Sequence, residues 1–229
     1  MQYEQTRIEI AEMGRRLEGE GLLSATAGNI SARVAPDLIA ITPTAIPYPE
    51  IGPEDVVITD LAGNVVDGAR RPSSELPFHT AVHRARADVG GVVHTHCPYA
   101  TVLAIMRRPI PPVHYVIASF GVDEIPVVPY ETYGSDALAE QIEAVAATGA
   151  NGMLLANHGA VTLAPTLERA ATLASLLEFL AAAYYRTLLA GGPVLLPADE
   201  IARVAERYKT HGQPPPGQAP ERVGARAEP

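Results

Sequence analysis

The stretch GGVVHTHCPYA, residues 90–100, gives the first indication of the fold. It opens with small and apolar residues, as in a strand buried inside a sheet, and two histidines follow at the end of this run. Side chains alternate between the two faces of a strand, so His94 and His96 point the same way. Two imidazoles on one face can reach a single ion. The stretch therefore predicts a buried strand that ends in a candidate metal site.

Strand and helix patterns alternate on both sides of this stretch. Strands are predicted within 24–34, 37–44, 55–68 as a hairpin, 90–96, 124–130 and 150–164 as a pair. Helices are predicted over 3–20, 73–88, 98–108, 134–149, 166–192 and 198–212. We expect one α/β domain over residues 1–211, with a mixed, mostly antiparallel central sheet flanked by helices. The proline-rich tail, residues 212–229, is expected to be disordered in isolation.

The composition argues against several classes of protein. The 229 residues carry a formal net charge of −9 without a basic stripe, which disfavours a nucleic-acid partner. No apolar run reaches the roughly 20 residues that a membrane-spanning helix needs, and the charged N-terminus does not resemble a signal peptide. The single cysteine, Cys97, is interpreted as a packing residue and favours the cytoplasm, since it allows no internal disulfide. We expect a cytoplasmic protein without a membrane or nucleic-acid partner.

A third histidine is the best candidate to complete the metal site. His158, in LLANHGAV (154–161), also follows an apolar strand and precedes Gly159, which permits a tight turn. Imidazole nitrogens suit Zn²⁺ and can also bind Mn²⁺ or Co²⁺. A rival pair, His79 and His83, has helical i, i+4 spacing but lacks the glutamate of an H-E-x-x-H motif. We assign that pair a structural or supporting role.

Six segments form a pattern that spans most of the chain. They are TAGNIS (26–31), ITPTAIPY (41–48), RPSSELPFH (71–79), VVHTHCPYA (92–100), IPPVHYVIASFG (110–121) and LLANHGAV (154–161). In this order they resemble the class II aldolase/adducin family, in particular its fuculose-phosphate aldolase branch. The SSE, HTH and NHG elements are the most specific. The resemblance implies the fold of that family and a homotetramer with active sites at subunit interfaces.

The same resemblance implies a role for each residue of the site. His94, His96 and His158 would bind zinc, and Glu75 would be the catalytic acid or base. Tyr115 would enter the site of the neighbouring subunit as a proton donor. The phosphate of the substrate would be bound by Gly28, Asn29, Thr44, Ala45, Ser73 and Ser74. Close backbone approach at Gly28 and the helix N-terminus after the serines are compatible with an anion pocket.

The lysine content distinguishes two ways of cleaving a carbon–carbon bond near a ketone. A Schiff-base mechanism needs a lysine in an apolar setting, and the only lysine, Lys209, lies near the C-terminus. A Lewis-acidic metal offers the other way, because it stabilises the negative charge left on the ketone fragment. Together with the resemblance, this predicts a zinc-dependent class II aldolase acting on fuculose 1-phosphate or a 5-deoxypentulose 1-phosphate. The products would be dihydroxyacetone phosphate and a short aldehyde.

Two positions depart from the pattern of the family. Thr44-Ala45 replaces the usual Ser-Gly, and because alanine disfavours positive φ we expect this loop to be displaced. His211 stands where the aldolase branch carries a tyrosine, which leaves the identity of the aldehyde open.

Three alternative functions remain open at this point. The methylthioribulose-1-phosphate dehydratase branch keeps a glutamate like Glu75, whereas the pentulose-phosphate 4-epimerase branch typically has aspartate there. A non-enzymatic, adducin-like interaction domain would be expected to lose its metal ligands, yet all three histidines are present. The presence of Glu75 and of the histidines therefore favours an enzyme, and favours aldolase or dehydratase over epimerase.

Overall fold

An eight-stranded sheet forms the centre of the computed structural model, which describes residues 1–210. The strands are β1 (Asn29–Ala35), β2 (Leu38–Ile41), β3 (Val57–Asp60), β4 (Val65–Asp67), β5 (Gly91–Thr95), β6 (Val127–Val128), β7 (Gly152–Leu155) and β8 (Gly159–Ala164). Their order across the sheet is β4-β3-β2-β1-β5-β8-β7-β6. Neighbouring strands run antiparallel except β6 and β7, which are parallel. The predicted α/β fold with a mixed, mostly antiparallel sheet is confirmed.

Helices cover both faces of the sheet. They are α1 (Glu4–Gly19), α2 (Leu76–Ala85), α3 (Pro98–Ile105), α4 (Asp136–Ala147), α5 (Leu167–Leu189) and α6 (Ala198–Tyr208), with short 3₁₀ helices at Tyr48–Glu50, Pro53–Asp55 and Tyr115–Phe120. On β5, Val93 packs into the apolar cluster that includes α1, α3 and α5, whereas Val92 packs with α2 and α4. The two clusters are the cores on either side of the sheet, and β5 lies buried between them.

The central strand presents His94 to the side of the sheet that α2 covers. Residues two apart on a strand share a face, so His94 lies on the same face as Val92. The imidazole is fully buried, and it meets the ring of Phe78 on α2 edge-on, with 5.6 Å between the ring centroids. The candidate site therefore forms where the end of β5 meets the start of α2.

Strand β6 is shorter than the sequence predicts. Only Val127–Val128 of the predicted 124–130 form a strand. Pro126 and Pro129 flank it, and a proline has no N–H to donate to a neighbouring strand. The chain therefore leaves the sheet directly after Val128 and enters the loop that contributes to the cavity described below.

The structure bears on the expected absence of a membrane helix but not on the expectations for the C-terminal tail. No helix within residues 1–210 is long and apolar enough to cross a membrane. The tail over residues 212–229 and His211 lie outside the described residues. The disorder of the tail and the domain boundary at residue 211 stay predictions.

Candidate active site

Three histidines from two distant segments meet beside the sheet. His94 lies in β5, His96 follows directly after this strand, and His158 lies in the turn between β7 and β8. One ligand nitrogen from each ring lies within 4.8 Å of the other two. The rings are nearly perpendicular to one another, with centroids 4.8–5.0 Å apart. The structure thus brings together the three residues that the sequence predicts as metal ligands.

The hairpin that carries His158 lies very close to β5. Asn157 has a φ of 55°, in the left-handed region that asparagine tolerates, and turns the chain from β7 into β8. A Cβ at Gly159 would collide with the carbonyl oxygen of Thr95 and with the ring of His96. Only glycine therefore allows this turn to lie against the end of β5.

The hydrogen bond of His94 leaves its second ring nitrogen available to a ligand. Nδ1 lies 2.9 Å from the carbonyl oxygen of Ala160 and donates to it, because a carbonyl only accepts. In the neutral ring Nε2 then carries a lone pair, which faces Nε2 of His96 at 3.0 Å and Oε2 of Glu75 at 3.1 Å. Electron-rich atoms at such distances repel one another unless a cation or a shared proton lies between them.

Burial keeps the other two imidazoles uncharged. Burial, followed by the charges of the neighbouring imidazoles, lowers the pKa of His96 to about 4. Burial and the charge of His94 also lower the pKa of His158 to about 4. Both rings are neutral at pH 7, which is the form that binds a metal. With the fixed tautomer of His94, this donor set fits a divalent cation that accepts imidazole nitrogen.

Glu75 is buried beside the histidines, directly before the first residue of α2. Its Oε2 accepts a hydrogen bond from Nδ2 of Asn29 at 2.8 Å, and its Oε1 lies 3.4 Å from Nε2 of His158. Burial favours the neutral acid, but positive charge between Nε2 of His94 and Oε2 of Glu75, such as a shared proton, together with the amide of Asn29 holds the pKa of Glu75 well below its usual range. The site therefore contains a carboxylate next to the candidate metal ligands.

A cavity of about 340 Å³ opens in front of these groups. Its wall includes His96, His158 and Glu75, and His94 lies buried behind it. The wall also contains every residue predicted to bind phosphate: Gly28, Asn29, Thr44, Ala45, Ser73 and Ser74. The two serines lie in the loop before α2, which begins later than the sequence predicts. The structure thus gathers every predicted site residue except Tyr115.

Uncharged donors line this cavity. The backbone N–H groups of Gly28, Ala45 and Ser74 enter no hydrogen bond with the described residues. The hydroxyl groups of Thr44 and Ser74 belong to the same wall, and among the described residues that line it there is no lysine or arginine. Unpaired backbone N–H groups in loops and before helices are a common means of binding phosphate. The cavity can therefore hold an anion through neutral donors.

Ala45 adopts the backbone conformation that its side chain disfavours. Its φ is 57°, in the left-handed region, which costs an alanine about 1 kcal/mol. The segment directly before Ala45 is anchored to residues 71–73, because the N–H of Thr44 donates to the carbonyl of Arg71 at 3.1 Å and the N–H of Ser73 donates to the carbonyl of Thr42 at 3.0 Å. These bonds hold the loop in a glycine-like conformation in spite of the alanine.

The cavity wall also contains five polar or aromatic residues that the sequence analysis did not identify as site residues. They are Thr26, Tyr130, Glu131, Tyr133 and Asn157. Tyr130 and Tyr133 are 53% and 67% exposed, so the wall they form is open to solvent. Three of the five follow shortly after β6, and loops at the ends of strands often carry binding residues. That position in the fold was the signal available for finding them.

Tyr115 lies outside this cavity. It begins the 3₁₀ helix Tyr115–Phe120, is 48% exposed, and packs on the ring of His114 with 4.4 Å between the centroids. It lines a separate depression together with Arg169 of α5 and Arg207 of α6. Within one chain Tyr115 contributes nothing to the histidine site, so its role in a neighbouring subunit stays a prediction.

The remaining sequence candidates are buried and do not belong to the ligand cluster. His79 and His83 lie on the inner side of α2, and the cluster that could hold a metal among the described residues does not include them. Cys97 is buried directly before α3, 3.3 Å from the hydroxyl of Thr95, and burial raises the pKa of its thiol. This placement agrees with a packing role for Cys97.

Known proteins with similar sequences and structures include several that are named as sugar-phosphate aldolases. Residues 8–185 match the model of the class II aldolase and adducin N-terminal domain. The 5-deoxy-D-ribulose 1-phosphate aldolase of Bacillus thuringiensis serovar kurstaki is 40% identical over 215 residues, 93% of this chain and 100% of that protein. A 5-methylthioribulose-1-phosphate/5-deoxyribulose-1-phosphate aldolase of Rhodospirillum rubrum is 42% identical over 206 residues, 90% of this chain and 92% of that protein. A solved L-fuculose 1-phosphate aldolase is 38% identical and has a TM-score of 0.84, over 89% of this chain and 95% of that one.

Proposed function

Because the chain belongs to the class II aldolase and adducin family, we propose that it is a ketose-1-phosphate aldolase that releases dihydroxyacetone phosphate and a short aldehyde. The observation that carries this proposal is one cavity in which imidazole nitrogens, a carboxylate and unpaired backbone N–H groups meet. Retro-aldol cleavage of a sugar phosphate needs a group that holds the phosphate, a group that stabilises negative charge and a group that moves a proton. The cavity supplies candidates for all three.

His94, His96 and His158 would hold the metal ion. We propose Zn²⁺, since three imidazole nitrogens with positions left open for substrate suit this ion, and Mn²⁺ or Co²⁺ accept the same ligands. When bound, the ion supplies a Lewis acid that stabilises the negative charge left on the ketone fragment. The carbonyl of Ala160 supports this role, because it fixes the ring orientation and the tautomer of His94.

The phosphate group of the substrate would be held by neutral donors. The unpaired N–H groups of Gly28, Ala45 and Ser74 and the hydroxyl of Thr44 share one cavity wall. An anchored phosphate fixes how far the rest of the substrate reaches into the cavity. The reacting carbons would then lie near Glu75 and the histidines, which belong to the same wall.

Glu75 would move the proton. In the cleavage direction the hydroxyl on the aldehyde side loses a proton, and the carbon left on the ketone fragment gains one. A buried carboxylate within reach of both positions can carry out such a transfer. Asn29 occupies Oε2 of Glu75, whereas Oε1 has no hydrogen-bond partner among the described residues. Oε1 is therefore the oxygen available to take up and return the proton.

We further propose that the protein acts as a homotetramer in the cytoplasm, with Tyr115 completing the site of a neighbouring subunit. Tyr115 and Phe179 are each 48% exposed, and both rings contact His114. Exposed aromatic side chains grouped in this way are typical of a surface that another protein chain covers. This grouping supports a subunit contact at Tyr115.

The test of the function is the release of dihydroxyacetone phosphate by the purified protein. The substrates to supply are fuculose 1-phosphate, 5-deoxyribulose 1-phosphate and methylthioribulose 1-phosphate. We expect release from at least one of them, loss of release after treatment with a chelator, and recovery when Zn²⁺ is added. A diketone product without dihydroxyacetone phosphate would show a dehydratase instead and would contradict the proposal.

A further inference from the structure

A row of hydrogen bonds runs behind Glu75 from β1 into α2. Oδ1 of Asn29 lies 2.6 Å from Nε2 of His79. Nδ1 of His79 lies 2.7 Å from the hydroxyl oxygen of Ser31, which in turn lies 3.0 Å from Nε2 of His83. All of these side chains are buried. The proposed reaction uses neither histidine nor the serine directly, so their concealed polar groups need another explanation.

One carboxylate sets the direction of every bond in this row. Oε2 of Glu75 only accepts, so Nδ2 of Asn29 donates to it and Oδ1 faces His79. Oδ1 also only accepts, so Nε2 of His79 carries the proton, and Nδ1 of the neutral ring accepts from the hydroxyl of Ser31. The oxygen of Ser31 then accepts from Nε2 of His83. Both histidines are therefore protonated on Nε2.

We propose that His79 is a positioning residue for the aldolase reaction and that Ser31 and His83 hold it in its active tautomer. An asparagine amide can turn over by half a rotation, which would direct Oδ1 of Asn29 at the carboxylate of Glu75. The Nε2–H of His79 prevents this rotation, because the rotated amide would place the NH₂ group of Asn29 against Nε2–H, and two donors cannot form a hydrogen bond with each other. The correct orientation of Asn29 holds Oε2 and leaves Oε1 for proton transfer. This inference rests on the proposed function.

Two substitutions of similar volume separate the proton on His79 from the space that the ring fills. His79→Gln can keep an N–H near the position of Nε2, whereas His79→Leu removes it. We expect His79→Leu to lower kcat about 10–100-fold, as is usual for a partner behind a reacting group, with KM and metal content little changed. His79→Gln is expected to recover most of that loss. Equal losses of kcat in both variants, or a loss confined to KM, would overturn the proposal.

The tautomers offer a readout that is independent of activity and of how the Leu variant folds. In wild-type protein labelled with ¹⁵N in histidine, protonated and unprotonated ring nitrogens differ in chemical shift, and single-histidine substitutions assign the signals. We expect protonated Nε2 and unprotonated Nδ1 at both His79 and His83. His114 lies outside the row and serves as the reference. Protonation of Nδ1 at His79 would overturn the proposal.

The two proposals fail in different experiments. If the wild-type protein cleaves no ketose 1-phosphate, the proposed function is contradicted, and so is the positioning role that rests on it. The directions of the hydrogen bonds in the row would still be tested by the tautomer measurement. Wild-type protein that cleaves its substrate while His79→Leu keeps the same kcat contradicts the positioning role alone.

Discussion

At the level of residues, the two carboxylate oxygens of Glu75 have different surroundings. One carboxylate oxygen is anchored by Asn29, and the other faces His158 without a hydrogen bond. The anchored oxygen fixes the orientation of Oε1, which is buried and has no hydrogen-bond partner among the described residues, so the proposed proton transfer would take place in a single geometry. A buried carboxylate of this kind suits proton transfer better than a flexible one at the surface.

Replacing Glu75 with glutamine tests this role. The amide keeps the size of the side chain but cannot accept the proton, so we expect kcat to fall about 100-fold or more. The three histidines remain, so the metal content should equal that of wild type. Enzyme kinetics and metal analysis of the same preparation are the measurements. Glu140→Gln, at an exposed position of α4, is the control and should behave as wild type. Wild-type turnover in Glu75→Gln would contradict the role.

The histidine trio illustrates what a sequence alone reveals about single residues. His94 and His96 could be assigned together because alternate residues share a face of a strand. The orientation of Asn29 could not be assigned, since it depends on His79, which is 50 residues away in sequence and 2.6 Å away in space. The conformation of Ala45 could not be predicted from its residue type either, because alanine disfavours the left-handed region in which its φ of 57° lies.

At the level of elements, the site depends on how closely the turn after β7 approaches β5. Gly159 begins β8, and its backbone contacts the end of β5 where a side chain would leave no space. Because His158 immediately precedes this glycine, the closeness of the two strands places its ring near His94 and His96. The geometry of the ligands is therefore a property of the pairing between β5 and β8.

Gly159→Ala should damage both the fold and the ligand geometry. The added methyl group meets the backbone of Thr95 and must displace a strand, so we expect the free energy of unfolding to fall by about 1–3 kcal/mol. Metal content should fall as well. Gly19→Ala is the matched control, since a Cβ at the end of α1 meets nothing within 4 Å. Urea unfolding and metal analysis measure both effects, and equal behaviour of the two variants would contradict this explanation.

The packing of α2 on β1 predicts that stability depends on pH. Burial, followed by the charge of Arg33, lowers the pKa of His83 from 6.5 to about 3. Between these values the unfolded chain binds the extra proton, so stability that is present above pH 6.5 is lost as the pH falls toward 3. The loss is up to about 1.4 kcal/mol per pH unit. His83→Gln keeps an N–H for Ser31 but does not titrate.

Urea unfolding at several pH values between 6.5 and 4.5 measures this dependence. The free energy of unfolding should fall less steeply in His83→Gln than in wild type. Identical slopes for the two proteins would show that His83 carries a proton equally well in the folded and unfolded states, against the expectation from its burial.

The elements themselves were largely predictable, and two errors in their boundaries have physical causes. Apolar periodicity and turn residues gave the order of helices and strands, because each element must bury one face. β6 was predicted too long, since apolar residues on both sides of Pro126 and Pro129 resemble a strand while the prolines prevent pairing. The start of α2 was predicted too early, because serines often cap helices but here precede Glu75 in a loop.

At the level of the whole molecule, the position of Tyr115 bears on whether the proposed site is shared between subunits. Tyr115 lies on an exposed aromatic surface and outside the cavity of its own chain. If it serves a neighbouring cavity, neither subunit alone has a complete site. The sequence could suggest this role only through resemblance, because contacts between copies leave no periodic pattern in one chain.

Mixing two inactive variants tests whether the site is shared between subunits. Tyr115→Phe removes the proton donor and Glu75→Gln removes the base, and each should be nearly inactive as a pure protein. After joint unfolding and refolding at equal amounts, about a quarter of the sites should combine an intact Tyr115 with an intact Glu75 from different subunits. Recovery of activity toward a quarter of the wild-type value is the expected result. No recovery would show that both residues act within one chain.

The neutral donors of the cavity have a consequence for how substrate arrives. The chain carries a formal net charge of −9, and no lysine or arginine lines the described part of the cavity wall. If the cavity binds a sugar phosphate dianion as proposed, the dianion would be repelled at long range and bound only after contact. At an ionic strength of 0.1 M, dissolved ions limit the range of that repulsion to about 10 Å. Because no lysine or arginine of the described cavity wall would pair with the phosphate, salt has no such attraction to weaken. Moderate ionic strength should therefore raise the rate at which substrate and protein associate. In a protein whose positively charged cleft attracts an anionic substrate, the same salt lowers that rate.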